Sequence, residues 1–256
     1  MAAADEFQNR EKGIVKIGTS NIVIPGNKLS FPPAFRDKSR LHYYSSLFNT
    51  LEVNSSFYKV PMRSTFEKWA ADVPPGFKFS IKLFKEVTHV KELRGDLQLI
   101  DHFLKAADGL GRKKGCLLIQ FPGKITTDYF KEVECIIERI TQQDSNNEWR
   151  KAVEFRHPGW YMGETYEMLN EYEAGLVLHD IPRSKMPENK TATDFIYIRF
   201  HGIKGDYRDS YPDALLQEKA SQIKGWLKEG KDVYAYFNNT IGSAYENAHT
   251  LKKMLE

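Results

Sequence analysis

The feature that most constrains this chain is an alternation that runs its whole length. Short apolar runs are separated by stretches with helical spacing. Eight runs read as strands: Ile14–Thr19, Thr50–Asn54, Phe77–Lys82, Cys116–Phe121, Lys151–Arg156, Leu176–Asp180, Phe195–His201 and Val233–Asn238. Between them, Leu99, Ile100, Phe103, Leu104 and Ala107 recur at helical spacing, and Gly109 follows as a stop signal. Phe130, Val133, Ile136, Ile137 and Ile140 repeat the pattern, as do Leu216, Ala220, Ile223 and Leu227, then Ala248, Leu251 and Leu255. Ser64-Thr65-Phe66-Glu67 reads as a capping box ahead of Trp69. Such alternation implies parallel strands joined by crossovers. Eight units in 256 residues match an α/β fold of the (β/α)8 type, a TIM barrel. The sixth unit is weak. Ile181–Asp194 carries two prolines, so its helix is expected to be short or missing. An open doubly wound sheet is the structural alternative, but no Gly-x-Gly-x-x-Gly follows the first run. The expected organisation is one domain over residues 13–256, preceded by a disordered or extended polar tail at 1–12.

Composition narrows the function classes. The net charge is only +3, from 37 basic and 34 acidic residues. A dedicated nucleic-acid binder usually shows a dominant basic surface, so nucleic acid is a possible partner that the charge does not favour. No stretch has the ~20 apolar residues that cross a bilayer, so no membrane partner is expected. The polar start and the two cysteines, Cys116 and Cys135, point to reduced, buried thiols and a cytoplasmic location.

Side chains alternate faces along a strand, and a barrel turns one face inward. On that basis Glu52, Asn54, Lys82, Gln120, Glu154, Arg156, Arg199, His201, Tyr236 and Asn238 point inward. They cluster toward strand C-termini, where barrels build their sites. Buried charges must pair with one another, with water or with a ligand. An internal salt-bridge network is the plain alternative to a ligand site.

At these residues the sequence resembles the YecE-like proteins, catalogued as domain of unknown function 72. The matching segments are Leu51–Tyr58, Thr88-His89, Gln120–Pro122, Val153–Trp160, Tyr197–Gly202 and Tyr234–Thr240. The resemblance covers nearly the whole chain and implies a triosephosphate-isomerase-type barrel. It implies no function, because the family is named for lacking one. Members commonly carry Gly-Thr-Ser-Gly-Trp after the first strand. Here the chain reads Gly18-Thr19-Ser20-Asn21, which removes the tryptophan that a stacking contact there would need.

The inward charges suggest roles. Three cations, Lys82, Arg156 and Arg199, face two carboxylates, Glu52 and Glu154. A divalent cation wants an excess of carboxylate oxygen, so no metal ligands are assigned, although a metal-dependent phosphoesterase or nuclease stays an alternative. No cofactor is assigned either. An anion fits the cations better, because arginine grips phosphate or carboxylate in a fork. The expectation is an enzyme, possibly a hydrolase, acting on a small polar anionic or phosphate-bearing ligand. Glu52, Glu154 and His201 would transfer protons. Asn54, Lys82, His89, Gln120, Arg156, Arg199, Tyr236, Asn238 and Asn239 would bind the ligand. A glycosidase-like pair of Glu52 with Glu154 is a further possibility. The stretch Asn238–Ala244, which leads into a helix, could hold a phosphate or simply turn and cap. Trp160, Tyr161, Tyr58, Tyr207 and Tyr211 are expected around the mouth. A non-catalytic nucleotide or nucleic-acid binding module is the alternative that uses these aromatics. No Gly-x-Ser-x-Gly or His-Glu-x-x-His motif supports a serine hydrolase or zinc protease.

Overall fold

The computed structural model describes residues 12–186 and 191–256. The expected tail at 1–12 therefore lies almost wholly outside the described residues. Eight parallel strands form the sheet: β1 Val15–Thr19, β2 Thr50–Val53, β3 Lys78–Lys82, β4 Lys114–Phe121, β5 Arg150–Phe155, β6 Ala174–His179, β7 Phe195–Phe200 and β8 Asp232–Phe237. They pair in the order β1-β8-β7-β6-β5-β4-β3-β2. Helices cross between them: α1 Arg40–Leu47, α2 Ser55–Tyr58, α3 Arg63–Ala71, α4 Lys85–Thr88, α5 Gln98–Ala107, α6 Phe130–Gln143, α7 Gly163–Glu171, α8 Asp213–Lys228 and α9 Ala244–Leu255. The described part of the β6–β7 crossover contains one 3-10 turn, Pro182–Ser184, as its prolines suggest. Among the described residues, no helix is long and apolar enough to cross a membrane.

The first and last strands of the order meet at a seam. A single bridge, Ser20 with Glu52, joins the ends of β1 and β2. Below it, side chains take over the work of the ladder. Thr19 N–H donates to Tyr44 Oη at 2.8 Å, and that hydroxyl donates to Thr50 O at 3.1 Å. The Asn49 amide accepts from Ile17 N–H and donates to Val15 O, both at 3.0 Å. Backbone groups that would be orphaned inside a barrel are thus satisfied. Gly18 belongs to this seam, because a Cβ there would stand 2.2 Å from Thr50 O.

Two apolar layers result. The outer one packs strand side chains such as Ile81, Ile119 and Phe155 on helix residues such as Phe103, Ile137 and Leu169. The inner one fills the lower barrel with Cys116, Leu118, Ala152, Val177, Phe195, Tyr197, Tyr234 and Tyr236. Cys116 is buried there, whereas Cys135 is only half-buried, and both are free thiols. One local expectation fails. Helix α3 begins at Arg63, capped by Met62 with no side-chain bond, so Ser64–Glu67 forms no capping box. Glu67 pairs instead with Arg63 at 3.1 Å, one turn earlier on the helix.

Candidate functional site

The inner apolar layer has a polar lid. Tyr236 closes the layer, its hydroxyl 2.6 Å from Thr50 Oγ1 and 2.7 Å from Ser80 Oγ. Above it the strand ends deliver charge. Arg199 on β7 is the centre of the network. Its Nε and Nη2 donate to Glu52 Oε2 and Oε1 at 2.9 and 2.8 Å. Its Nη1 donates to Glu154 Oε2 at 2.7 Å. Arg156, just past β5, pairs with the other oxygen of Glu154. Ser20 Oγ and Tyr197 Oη complete Glu52, donating at 2.6 and 2.7 Å. Asn54 Nδ2 adds a longer contact at 3.2 Å.

Both carboxylates are fully buried. Burial alone would raise Glu52, but the Arg199 charge and the hydrogen bonds from Arg199, Ser20 and Tyr197 carry it below the usual carboxylate value. Glu154 lies well below that value, because the charges of Arg156 and Arg199 outweigh its burial. His201 sits between the two arginines. Its Nε2 is 3.1 Å from Arg156 Nη2 and 3.2 Å from Arg199 Nη1. Guanidinium nitrogens only donate, so Nε2 is the acceptor and Nδ1 carries the proton. Nδ1 approaches Asp180 Oδ1 at 3.5 Å without closing a hydrogen bond. Burial pulls His201 down to about 4, with the nearby Asp180 opposing, so the ring is neutral at physiological pH.

A cleft of about 560 Å³ opens over this network. Lys82, Arg156, Arg199 and Arg183 reach its lining, with Asn21, Asn54, Gln120 and Asn238 between them. Glu52, Glu154 and His201, the expected proton-transfer set, do not line it. They form the layer beneath, each at 0% exposure. Of the expected ligand-binding residues, Asn54, Lys82, Gln120, Arg156, Arg199 and Asn238 are brought together on the cleft. Tyr236 lies in the lid below. His89 is half-buried behind the wall, packed edge-on against Phe57 with centroids 4.7 Å apart. Burial and the Lys82 charge lower its pKa to about 4. Asn239 faces away, donating to Asp209 O at 2.9 Å and Asn247 Oδ1 at 3.0 Å.

The loop after β8 turns tightly against the β7 loop. Three of its backbone donors are spent on neighbours: Ile241 N–H on Tyr207 O, Gly242 N–H on Asn239 O and Ser243 N–H on Asp209 O. The β7 loop presses so close that a Cβ at Gly242 would lie 2.2 Å from Asp209 O. These amides are not available to a phosphate.

The expected ring of aromatics is corrected as well. Trp160 is fully buried, stacked on Phe155 at 4.3 Å, and donates to Ile125 O. Tyr211 is buried against Phe200 and bonded to Asp180. Tyr161 is half-buried and donates to Ser184 O at 2.5 Å. Only Tyr58, 69% exposed, and Tyr207, 36% exposed, stand at the cleft.

Several residues of the cleft and of the network beneath it are not among those the sequence points to. His179 points inward from β6, its Nε2 3.1 Å from Phe155 O and its ring 5.9 Å from that of His201. Alternation did contain the signal. Val177 and His179 share the face opposite Leu176, Leu178 and Asp180. Tyr197 followed the right parity and is the hydroxyl donor to Glu52. Asn21 and Arg183 lie in loops, where no periodicity marks them. Among the described residues, no group of three or more His, Cys, Asp or Glu could hold a metal ion.

Fold and site together define a (β/α)8 barrel with a cationic cleft at the C-terminal mouth of its strands. The chain belongs to the DUF72 family, whose sequence model, described as a protein of unknown function, matches residues 16–256. UPF0759 protein YunF of Bacillus subtilis is 26% identical over 258 residues, covering 88% of this chain and 89% of that protein. UPF0759 protein YecE of Escherichia coli K12 is 24% identical over a shorter stretch, 51% of this chain. A DUF72 family protein from Thermotoga maritima superposes with a TM-score of 0.77 at 26% identity, covering 94% of this chain and 99% of its own. One from Enterococcus faecalis gives 0.78 at 20% identity, over 94% and 95%.

Proposed function

We propose that the barrel captures a small phosphate- or carboxylate-bearing molecule in the cleft and acts as an enzyme on it. One observation carries this reading: the cations face the cleft while the carboxylates lie beneath them. Lys82, Arg156, Arg183 and Arg199 contribute to the wall, and Glu52 and Glu154 do not. The two carboxylates hold the guanidiniums in place, so their hydrogen-bonding directions are fixed before a ligand arrives. The cleft volume of about 560 Å³ suits a metabolite-sized ligand. Asn54 Oδ1, buried and without a hydrogen-bond partner, offers an acceptor to a ligand hydroxyl.

The proton-transfer roles expected for Glu52, Glu154 and His201 receive little support from this geometry. Each has its lone pairs engaged by donors, and none reaches the cleft wall. A glycosidase-like pair needs two carboxylates open to a sugar, which these are not.

The experiment is a thermal-shift panel with inorganic phosphate, phosphomonoesters, 2-oxo acids and neutral sugars. Selective stabilisation by the anions supports the reading, and an equal or absent response to all classes contradicts it.

Tyr58 and Tyr207 favour a second reading, in which the anion carries an aromatic base. A nucleotide would then outbind its ribose-phosphate fragment, and Tyr58→Ala would abolish that margin.

A further inference from the structure

We infer that Lys82 is an amine nucleophile that forms an imine with the carbonyl of an aldehyde or 2-oxo acid, while Arg156 and Arg199 hold that molecule's anionic group. This rests on the anion-binding reading above and adds a substrate class and a bond to it.

The geometry sets Lys82 apart from its neighbours. Arg156 and Arg199 are both neutralised by buried carboxylates. Lys82 Nζ donates instead to a neutral amide, Gln120 Oε1, at 2.7 Å. It also rests over the Phe57 ring, 4.1 Å from the centroid. Those two contacts fix the amine at the end of β3 on the wall of the cleft. An ordinary surface lysine swings freely and stays protonated. This one is held still, desolvated and placed among guanidiniums, the surroundings that turn an ammonium into a nucleophile.

The charges that face it come from three strands. Arg199 on β7 and Arg156 after β5 oppose its protonation; Glu154 on β5 and Glu52 on β2 favour it. Burial is the largest influence and, with the arginines, lowers the ammonium to about 8. His89, the nearest histidine on the following loop, is neutral and adds no charge. A useful fraction of free amine is therefore present near neutral pH.

The step balances without an oxidant or reductant. Nζ adds to the carbonyl carbon to give a carbinolamine. The oxygen then leaves as water, taking the two nitrogen protons, and a C=N bond remains. Protonated at nitrogen, that imine withdraws electrons from an adjacent C–H or C–C bond. The arginines supply what an amine alone lacks, a grip that aims the carbonyl at Nζ.

Reductive trapping tests this. The protein is incubated at pH 7.5 with pyridoxal 5′-phosphate, or with pyruvate, reduced with sodium borohydride and mapped by peptide mass spectrometry. Binding of inorganic phosphate is measured in parallel by isothermal titration calorimetry. The expected result is one adduct, on Lys82, forming roughly a hundredfold faster than on exposed lysines. It should be suppressed by inorganic phosphate, and its rate should be half-maximal near pH 8. Lys82→Arg should lose the adduct. Phosphate binding with no preferential adduct at Lys82 overturns the imine and leaves the anion site standing. Failure of both overturns the anion site as well.

Discussion

Buried charge at single residues makes the sharpest predictions. Glu154 accepts from Arg156 with one oxygen and from Arg199 with the other. Glu154→Gln removes the charge and leaves two guanidiniums under-compensated, so it should cost about 3 kcal/mol, read by urea denaturation. A loss no larger than a surface substitution gives would remove Glu154 from the scaffold. The buried histidines predict an acid limb. Burial lowers His201 to about 4 and also lowers His179, while unfolded histidines titrate near 6.5. Below that value the unfolded chain binds more protons, so stability falls as pH drops from about 6.5 toward 4. Glu52 and Glu154, both depressed, extend the loss below about 4.5. A denaturation midpoint that stays flat from pH 7 to 5 would contradict this. At this scale sequence alternation was informative but incomplete. It brought the right charged residues to one end of the barrel, because the side-chain period of a strand is strict. It could not separate wall from foundation, since that depends on which oxygens are saturated. Glu52 carries donors from β7 and from the residues just past β1 and β2, and no local pattern records such a convergence.

Among the elements, the weakest join is the β1–β2 seam. Tyr44 on α1 and Asn49 before β2 replace ladder bonds with side-chain bonds. Tyr44→Phe leaves the buried Thr19 N–H and Thr50 O without that bridge and should cost about 1–3 kcal/mol. Amide exchange at Thr19 should accelerate, while exchange in β4, flanked by strands on both sides, should not. Equal acceleration in both strands would mean that the barrel opens as one unit and the seam is no separate element. Nothing in the sequence announced this arrangement, because one residue is helical and the other lies in a turn. The strands themselves were legible, and so was the lack of a long helix in the described part of the sixth crossover. The failed capping box has a simple reason. Helix α3 starts one residue before Ser64, which puts that side chain inside the first turn rather than ahead of it.

At the scale of the whole molecule, the barrel is a charged scaffold with cations in the wall of its cleft. Lys82 and Arg156 stand over a buried layer in which Arg199 pairs with Glu52 and Glu154, so these three cations and two carboxylates keep one positive charge for a ligand to neutralise. Arg183 adds another at the wall. Anion affinity should accordingly weaken with salt, and Arg156→Gln should weaken it about tenfold while leaving neutral-sugar response unchanged. The fold could be read from the chain because its two periodicities alternate so regularly. The cleft's chemistry could not, because loop residues such as Asn21 and Arg183 enter it by topology alone. The most direct measurement is a crystal structure of the protein grown with tungstate, a heavy phosphate analogue. The predicted result is anion density within hydrogen-bond distance of Arg156 and Lys82, with Glu52 and Glu154 still buried against Arg199. Density elsewhere on the surface only, or a Glu52 carboxylate turned into the cleft, would contradict the account.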